Sequence, residues 1–362
     1  MLSCDSELST VWFSSYLHDR QQKVVSNDCS SAWLNIDRGL PQGSTLGPLL
    51  FSLYINDCPE AIKHCKHHLY ADDLQIYLDS TVAGFSDCTK YVNHDLEQIN
   101  KWSEDNILKI NPLKSQAIVI GYPTLLRKIT GDINAKLILD NTEIPICNSV
   151  NNLGLCINNN LTWLEHVVKI CNKVYSSIHS LRCLGSFLTP SIKIQLVNSL
   201  IMPHFDYADI VYQDLSQDLA SKLQRAQNAS VRFMFNLRNY DHIFDAYNKI
   251  SWIKLEPRRR LHVLTSAFNI LRTQTPEYLF SEFVSLESIH NCNTRGKNNL
   301  LIPNHRTEMF HKSFIVTAIK FWNAIPPHIK SSSSTYSFKK KCISHLLVNQ
   351  SLNLYFSFNP KL

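Results

Sequence analysis

The sequence predicts an α+β fold over roughly the first 160 residues, followed by a helical remainder. Three observations carry this reading. Strand-like alternation flanks Tyr70-Ala71-Asp72-Asp73, short apolar runs broken by turn residues continue to Asn159, and helical periodicity sets in at Thr162. A chain of 362 residues, 44% hydrophobic, can bury a core and divides into two or three compact units at about 100–200 residues each. The boundaries expected from the pattern are 1–160, 161–240 and 241–362.

In order along the chain, the first good helix carries Val92, Leu96, Ile99 and Ser103 at helical spacing, with Trp102 on the same stripe, and ends by Asn111-Pro112. After Lys114, segments such as Ala117–Ile120 and Lys136–Leu139 read as short β-type pieces. Thr162-x-x-Glu165 reads as a capping box opening a helix through Val167, Cys171, Val174, Ile178 and Leu181. Thr189-Pro190 caps the next helix, with Leu196, Val197, Leu200 and Ile201 on one side and Pro203 as its stop. A third helix is expected over Asp218–Asn236, with Leu219, Leu223 and Ala226 inward and Lys222, Arg225 and Arg232 outward. Further helices follow through Leu261, Leu264, Phe268 and Leu271, then through Phe310, Phe314, Ala318, Phe321, Trp322 and Ile325. Pro326-Pro327 breaks the latter, Ser331–Ser334 forms a polar linker, and a basic helix with Lys339, Lys340 and Lys341 closes the chain. Trp163, Trp252 and Trp322 fall in apolar stripes and read as core.

The net charge of +6 permits a phosphate-bearing partner without requiring one. Eleven cysteines, an odd number with no Cys-x-x-Cys pair, point to a reducing compartment. The longest apolar run, around Leu49–Ile55, is far short of the about 20 residues that span a bilayer. His64, Cys65, His67 and His68 crowd together, but without a second ligand pair they read as a polar hairpin approach rather than a zinc site.

Two segments carry chemistry. Gly39-Leu40-Pro41-Gln42-Gly43-Ser44 makes a tight turn through which backbone can approach a ligand, and the apolar run from Leu46 supplies a helix packed under it. In the second segment, Asp72 and Asp73 lie between two strand-like runs, so they fall at a hairpin tip. Adjacent carboxylates repel and build no core, and the chemistry that uses them is coordination of hard divalent cations through oxygen.

The pair GLPQGSTLGPLLF and YADD, with Asp72 thirty residues after Gln42, resembles two sequence motifs of reverse transcriptases. The flanks WFSSYLHDRQQKV at Trp12–Val24, LKINPLKSQ at Leu108–Gln116 and NLGLCINNNLTWLEHV at Asn152–Val167 look like non-LTR (LINE-type, jockey-like) retrotransposon polymerases. The likeness extends through Arg182–Gln213 and, more loosely, His311–Pro327. It implies a partial polymerase palm of antiparallel sheet and helices, then a helical thumb and a helical C-terminal region. It also implies RNA-directed DNA synthesis: an RNA template, a DNA primer and dNTPs as partners, two Mg²⁺ ions (or Mn²⁺) as cofactors, and action in the nucleus and cytoplasm.

Carried over residue by residue, Asp72 is the principal metal carboxylate and Asp73 the second. Tyr70 and Ala71 flank the primer terminus, while Pro41, Gln42 and Gly43 shape the nucleotide pocket. Lys114 matches the lysine after the palm helix, near the triphosphate, and Leu153, Gly154 and Leu155 form the primer grip. Lys169, Lys173, Lys222 and Arg225 are helix-borne cations able to follow phosphates. Arg20 and Gln21 read as structural support. Arg258, Arg259 and Arg260 fit nucleic-acid contact and a solvated helix start equally.

In the resembled family a first metal-binding aspartate lies on a strand upstream of the Tyr16–Gln22 segment, and the eleven residues before Trp12 leave that strand no room. Asp5, without flanking apolar alternation, is no replacement. The expectation is an N-terminally truncated chain with trace polymerisation or none, and the alternative is a catalytically dead nucleic-acid-binding remnant.

Overall fold

The computed structural model describes residues 6–27, 29–36, 38–40, 43–130, 136–185, 187–288 and 299–357. The chain divides into two compact units, Met1–Cys147 and Asn148–Leu362. Its secondary structure is α+β: helices and, among the described residues, only two-stranded antiparallel ladders. The antiparallel pairing expected of the first 160 residues takes the form of separate two-stranded ladders, each strand two to five residues long.

The first unit begins with helix Ser6–Leu17, which the expected pattern of strands and turns did not contain. Its side chains Val11 and Trp12 are exposed, and Trp12 stacks on Tyr16 one turn on. Helix Gly47–Tyr54 forms where the apolar run starts, with Pro48 in its first turn. It is not packed as expected: Leu49, Leu53 and Tyr54 are exposed, and only Gly47 is buried. Strands Lys66–Tyr70 and Asp73–Tyr77 pair in register from Lys66↔Tyr77 to Tyr70↔Asp73. Helix Phe85–Asp105 buries Leu96 against Leu139 and Ile144 of hairpin Leu137–Leu139/Thr142–Ile144, with Ile76 and Val92 packed on the same cluster. That hairpin turns at Asp140 and Asn141, both at positive φ, as a two-residue turn of right-handed strands requires. Helix Pro123–Thr130 stands where short β-type pieces were expected; its amphipathic Leu125-Leu126-Arg127-Lys128 stretch follows a proline suited to a first helical turn.

The second unit opens with hairpin Ser149–Asn152/Leu155–Asn158 and continues as helices. Helix Leu164–Cys183 packs on helix Gln217–Phe235, and Val167, Val174, Val197, Ile201, Ala226 and Met234 are fully buried in their shared core. A second core gathers helix Leu255–Thr273, helix Phe314–Ala324 and the start of helix Thr335–Ser357 around Leu264, Phe268, Ile319 and Phe338. Trp163, Trp252 and Trp322 are buried.

Two terminus readings are corrected. Thr162 and Glu165 make no capping box. Asn158 donates its amide to the Thr162 hydroxyl, Glu165 accepts from the Cys156 thiol, and Trp163 enters the helix at φ 62° with no side-chain cap. Pro203 does not stop its helix. A wider π turn over Val197–Ile201 releases the helical hydrogen bonds a proline would break, and Pro203 then sits in the first turn of helix Met202–Asp206. Thr189 does cap its helix, accepting from the Ile192 N–H.

Candidate metal and nucleotide site

The Asp72-Asp73 pair sits at the tip of its hairpin. Ala71 takes φ 50° to close the turn, a left-handed conformation that costs a residue with a Cβ about 1 kcal/mol. Tyr70, Ala71, Asp72 and Asp73 are all exposed and within one tight turn. Among the described residues neither aspartate has an ion pair or hydrogen bond through its side chain. Two exposed, uncommitted carboxylates fit the oxygen ligation that Mg²⁺ and Mn²⁺ prefer.

The hairpin is held at its base by a residue that the sequence reading did not single out. Asp95, on the buried face of helix Phe85–Asp105 and wholly enclosed, accepts the backbone N–H groups of Lys63 (3.2 Å), His64 (2.9 Å) and Cys65 (2.8 Å). His94 Nδ1 lies 3.2 Å away on the same carboxylate. Burial pushes this carboxyl up, but the backbone donors and His94 outweigh it and hold it at about 2. The His64/Cys65 segment is therefore the clamped entry to the first strand, with His64 packed against Tyr91 and His94.

The loop after Gly39 is organised by Arg20, which donates to the Leu17 carbonyl (3.0 Å) and the Gly39 carbonyl (2.6 Å). Gln21 donates to Asn35 across a short ladder. Both residues are structural supports. Gly39 and Gly43 adopt φ 82° and 81°, so glycine is required at both ends of the loop. Ser44 accepts from the Gly47 N–H at 3.0 Å, just ahead of helix Gly47–Tyr54. Pro41 and Gln42 lie outside the described residues. Lys114 is exposed in a 3₁₀ turn that Asn111 caps.

In the second unit, Leu153 and Gly154 form the turn of their hairpin at φ 45° and 82°, and Leu155 is buried at the start of the next strand. Tyr207, also absent from the sequence reading, donates its hydroxyl to the Leu153 carbonyl at 2.6 Å. A Cβ on Gly154 would meet the Tyr207 ring at 3.2 Å. Lys169 donates to Asn151 of the same hairpin, Lys173 and Arg225 are exposed, and Lys222 is half-buried.

The three consecutive arginines are committed inside the fold. Arg258 makes a bidentate pair with Asp206, Arg259 is buried near Asp209, and Arg260 stacks on Phe321 at 4.7 Å. Asp209 bonds His262 at 2.7 Å. Among the described residues two clusters, His64/His94/Asp95 and Asp206/Asp209/His262, bring potential ligand atoms within 4.8 Å of one another. In each, the carboxylates already serve backbone N–H groups, Arg258 or His262.

Residues 1–157 match the family described as reverse transcriptase (RNA-dependent DNA polymerase). Over those residues the chain is similar to reverse transcriptases, and the curated proteins it resembles are polymerases of non-LTR retrotransposons. Its relatives include the "Probable RNA-directed DNA polymerase from transposon X-element" of Drosophila melanogaster, 25% identical over 236 residues, covering 61% of this chain and 24% of that protein. The corresponding protein from transposon BS of the same species is 25% identical over 228 residues, 60% of this chain and 24% of its own length. The RNA-directed DNA polymerase from mobile element jockey of Drosophila funebris is 24% identical over 229 residues, again 60% and 24%. The chain spans about a quarter of the length of the curated relatives it matches.

Proposed function

We propose that the first unit is part of a polymerase palm and that the helices from Leu164 onward include its thumb, acting in RNA-templated DNA synthesis. The observation that carries this is the pair of exposed, unpartnered carboxylates at a hairpin tip, held from below by Asp95. In this reading Asp72 is the principal ligand of the divalent ions and Asp73 the second. Two bound ions would stabilise charge on the attacking 3′-oxygen and the leaving pyrophosphate. Tyr70 and Ala71 border the primer terminus, the Gly39–Ser44 loop with Pro41, Gln42 and Gly43 shapes the dNTP pocket, and Lys114 neutralises triphosphate charge. Leu153, Gly154 and Leu155 present the primer grip, which Tyr207 fixes from outside, and Lys169, Lys173, Lys222 and Arg225 follow backbone phosphates.

Among the described residues no third His, Cys, Asp or Glu joins Asp72 and Asp73 in a ligand cluster. Two carboxylates place less charge at the metals than two-ion transfer uses, so trace synthesis at most is expected from this chain alone. The same observation favours a second reading, a nucleic-acid-binding element without catalysis. Two measurements test the proposal. Mn²⁺ titration followed by paramagnetic broadening should bleach the amide signals of Tyr70–Asp73 first, and Asp72→Asn should abolish that selectivity. Primer extension on an RNA template should show at most trace, Asp72-dependent synthesis. Broadening that ignores Asp72 removes the metal assignment, and robust synthesis by this chain refutes the two-carboxylate argument.

A further inference from the structure

A cleft of about 550 Å³ opens between helix Leu164–Cys183 and helix Gln217–Phe235, within the range of small-ligand sites. Arg182 lines it from the first helix, and Arg225 and Arg232 from the second. No carboxylate lines it, and among the described residues none of the three arginines makes an ion pair. Among the described residues their one side-chain hydrogen bond runs from Arg232 Nε to the Arg238 carbonyl, at 3.2 Å. Elsewhere in the same unit Arg258 pairs with Asp206 and Arg260 stacks on Phe321. Three uncompensated guanidinium groups facing one concavity repel one another unless an anion sits among them.

The remaining lining residues narrow the anion's class. Tyr175 lies two turns before Arg182 on the same helical face and is 47% exposed, which offers a flat apolar surface at the rim. Ala229, between Arg225 and Arg232, leaves the floor open. The Asn228 amide oxygen is already taken by Gln224 and Tyr247, which leaves its N–H₂ as a donor. Phosphate-binding arginines, an aromatic face and a spare amide donor are what a nucleotide with an unpaired base requires. A duplex keeps its bases stacked within itself and would leave Tyr175 unused.

We propose that this cleft is a second nucleic-acid site that takes a single-stranded segment, with phosphates on Arg182, Arg225 and Arg232 and one base against Tyr175. The site stands on Arg182, Arg225 and Arg232 of the second unit; it shares Arg225 with the polymerase reading and rests on it to that extent, whereas the metal assignment of that reading rests on Asp72.

The test uses the full chain in EDTA, so that no hairpin-bound metal contributes. The probe is a fluorescein-labelled single-stranded RNA of about 12 nucleotides, followed by anisotropy from about 50 to 200 mM salt. The triple variant R182Q/R225Q/R232Q should bind about tenfold or more weakly, with the log–log salt slope reduced by roughly 2. Tyr175→Leu should weaken binding about fivefold or more with the slope unchanged. Should the glutamine triple fail to fold by circular dichroism, the triple lysine variant replaces it; it should keep the slope while losing affinity. Unchanged affinity in the arginine variants overturns the proposal. So does competition by a blunt duplex, or by a free nucleoside monophosphate, as effective as competition by the single strand.

Discussion

Removing the Asp95 carboxylate isolates the contact that anchors the acidic hairpin. It holds three backbone N–H groups, of Lys63, His64 and Cys65, in a fully enclosed position. The carboxyl sits at about 2 against an ordinary 3.8, which corresponds to roughly 2 kcal/mol of stability carried by the ionised form. Because the folded value lies below the unfolded one, that contribution is fully present above about pH 4 and is lost as pH falls through about 2. Asp95→Ala leaves buried donors without an acceptor and should cost about 3 kcal/mol. Asp95→Asn retains one acceptor oxygen but sets an amide N–H₂ against N–H groups, for about 2 kcal/mol. Hydrogen exchange at the amides of Lys63, His64 and Cys65 reads the effect locally, and on the order of a 100-fold loss of protection is expected in the alanine variant. Protection within about threefold of wild type, with an unchanged acid limb, would refute the clamp.

Gly154→Ala should lower Tm by about 2–6 °C, because the turn needs φ 82° and the added Cβ meets Tyr207 at 3.2 Å. Tyr207→Phe should cost about 1 kcal/mol by thermal melting, and the two changes together should cost less than their sum, since they act on one contact. Arg258→Lys loses the two-pronged pair with Asp206 and should destabilise by about 1–2 kcal/mol in urea unfolding. Thr189→Ala removes the cap that accepts the Ile192 N–H and should cost about 1 kcal/mol.

Helices of the second unit were legible because their apolar residues recur at helical spacing, as Val167, Cys171, Val174, Ile178 and Leu181 do, and all five are buried. The acidic hairpin was legible from alternation on either side of an Ala-Asp turn. What escaped was local competition and polar burial. Asn158 takes the Thr162 hydroxyl before it can cap a helix, and nothing in the four-residue box reveals that rival. Asp95 reads as a solvent-facing helix residue by type. Its position does carry a signal, since residues 92, 95, 96, 99 and 103 form one stripe, and a carboxylate on an apolar stripe needs buried donors. Tyr207 gave no pattern at all, because its partner is a backbone carbonyl fifty-four residues earlier in the chain. The exposed apolar side chains of helix Gly47–Tyr54 show the complementary limit: a hydrophobic run predicts a helix without predicting what lies against it.

The charge of this chain is better understood by where its cations are spent than by their excess. Of the run Arg258-Arg259-Arg260, Arg258 pairs with Asp206, Arg259 is buried and Arg260 stacks on Phe321, all within the helical unit where Asp206 and Asp209 meet helix Leu255–Thr273. Those contacts lie where the two helical cores adjoin, since Phe205 and Tyr212 belong to the first and Leu261 and Leu264 to the second. Replacing such a buried pair by apolar residues can leave stability unchanged, whereas removing one partner strands a charge, so a paired seam of this kind fixes how the cores meet more than how tightly. The cations left over are dispersed by helical spacing, Lys169, Lys173 and Arg182 along one helix and Lys222, Arg225 and Arg232 along its neighbour. A run of like charge in sequence thus became internal structure, while Arg182, Arg225 and Arg232, spread over fifty residues, line one groove; attraction for phosphate depends on such convergence in space rather than on adjacency in the chain.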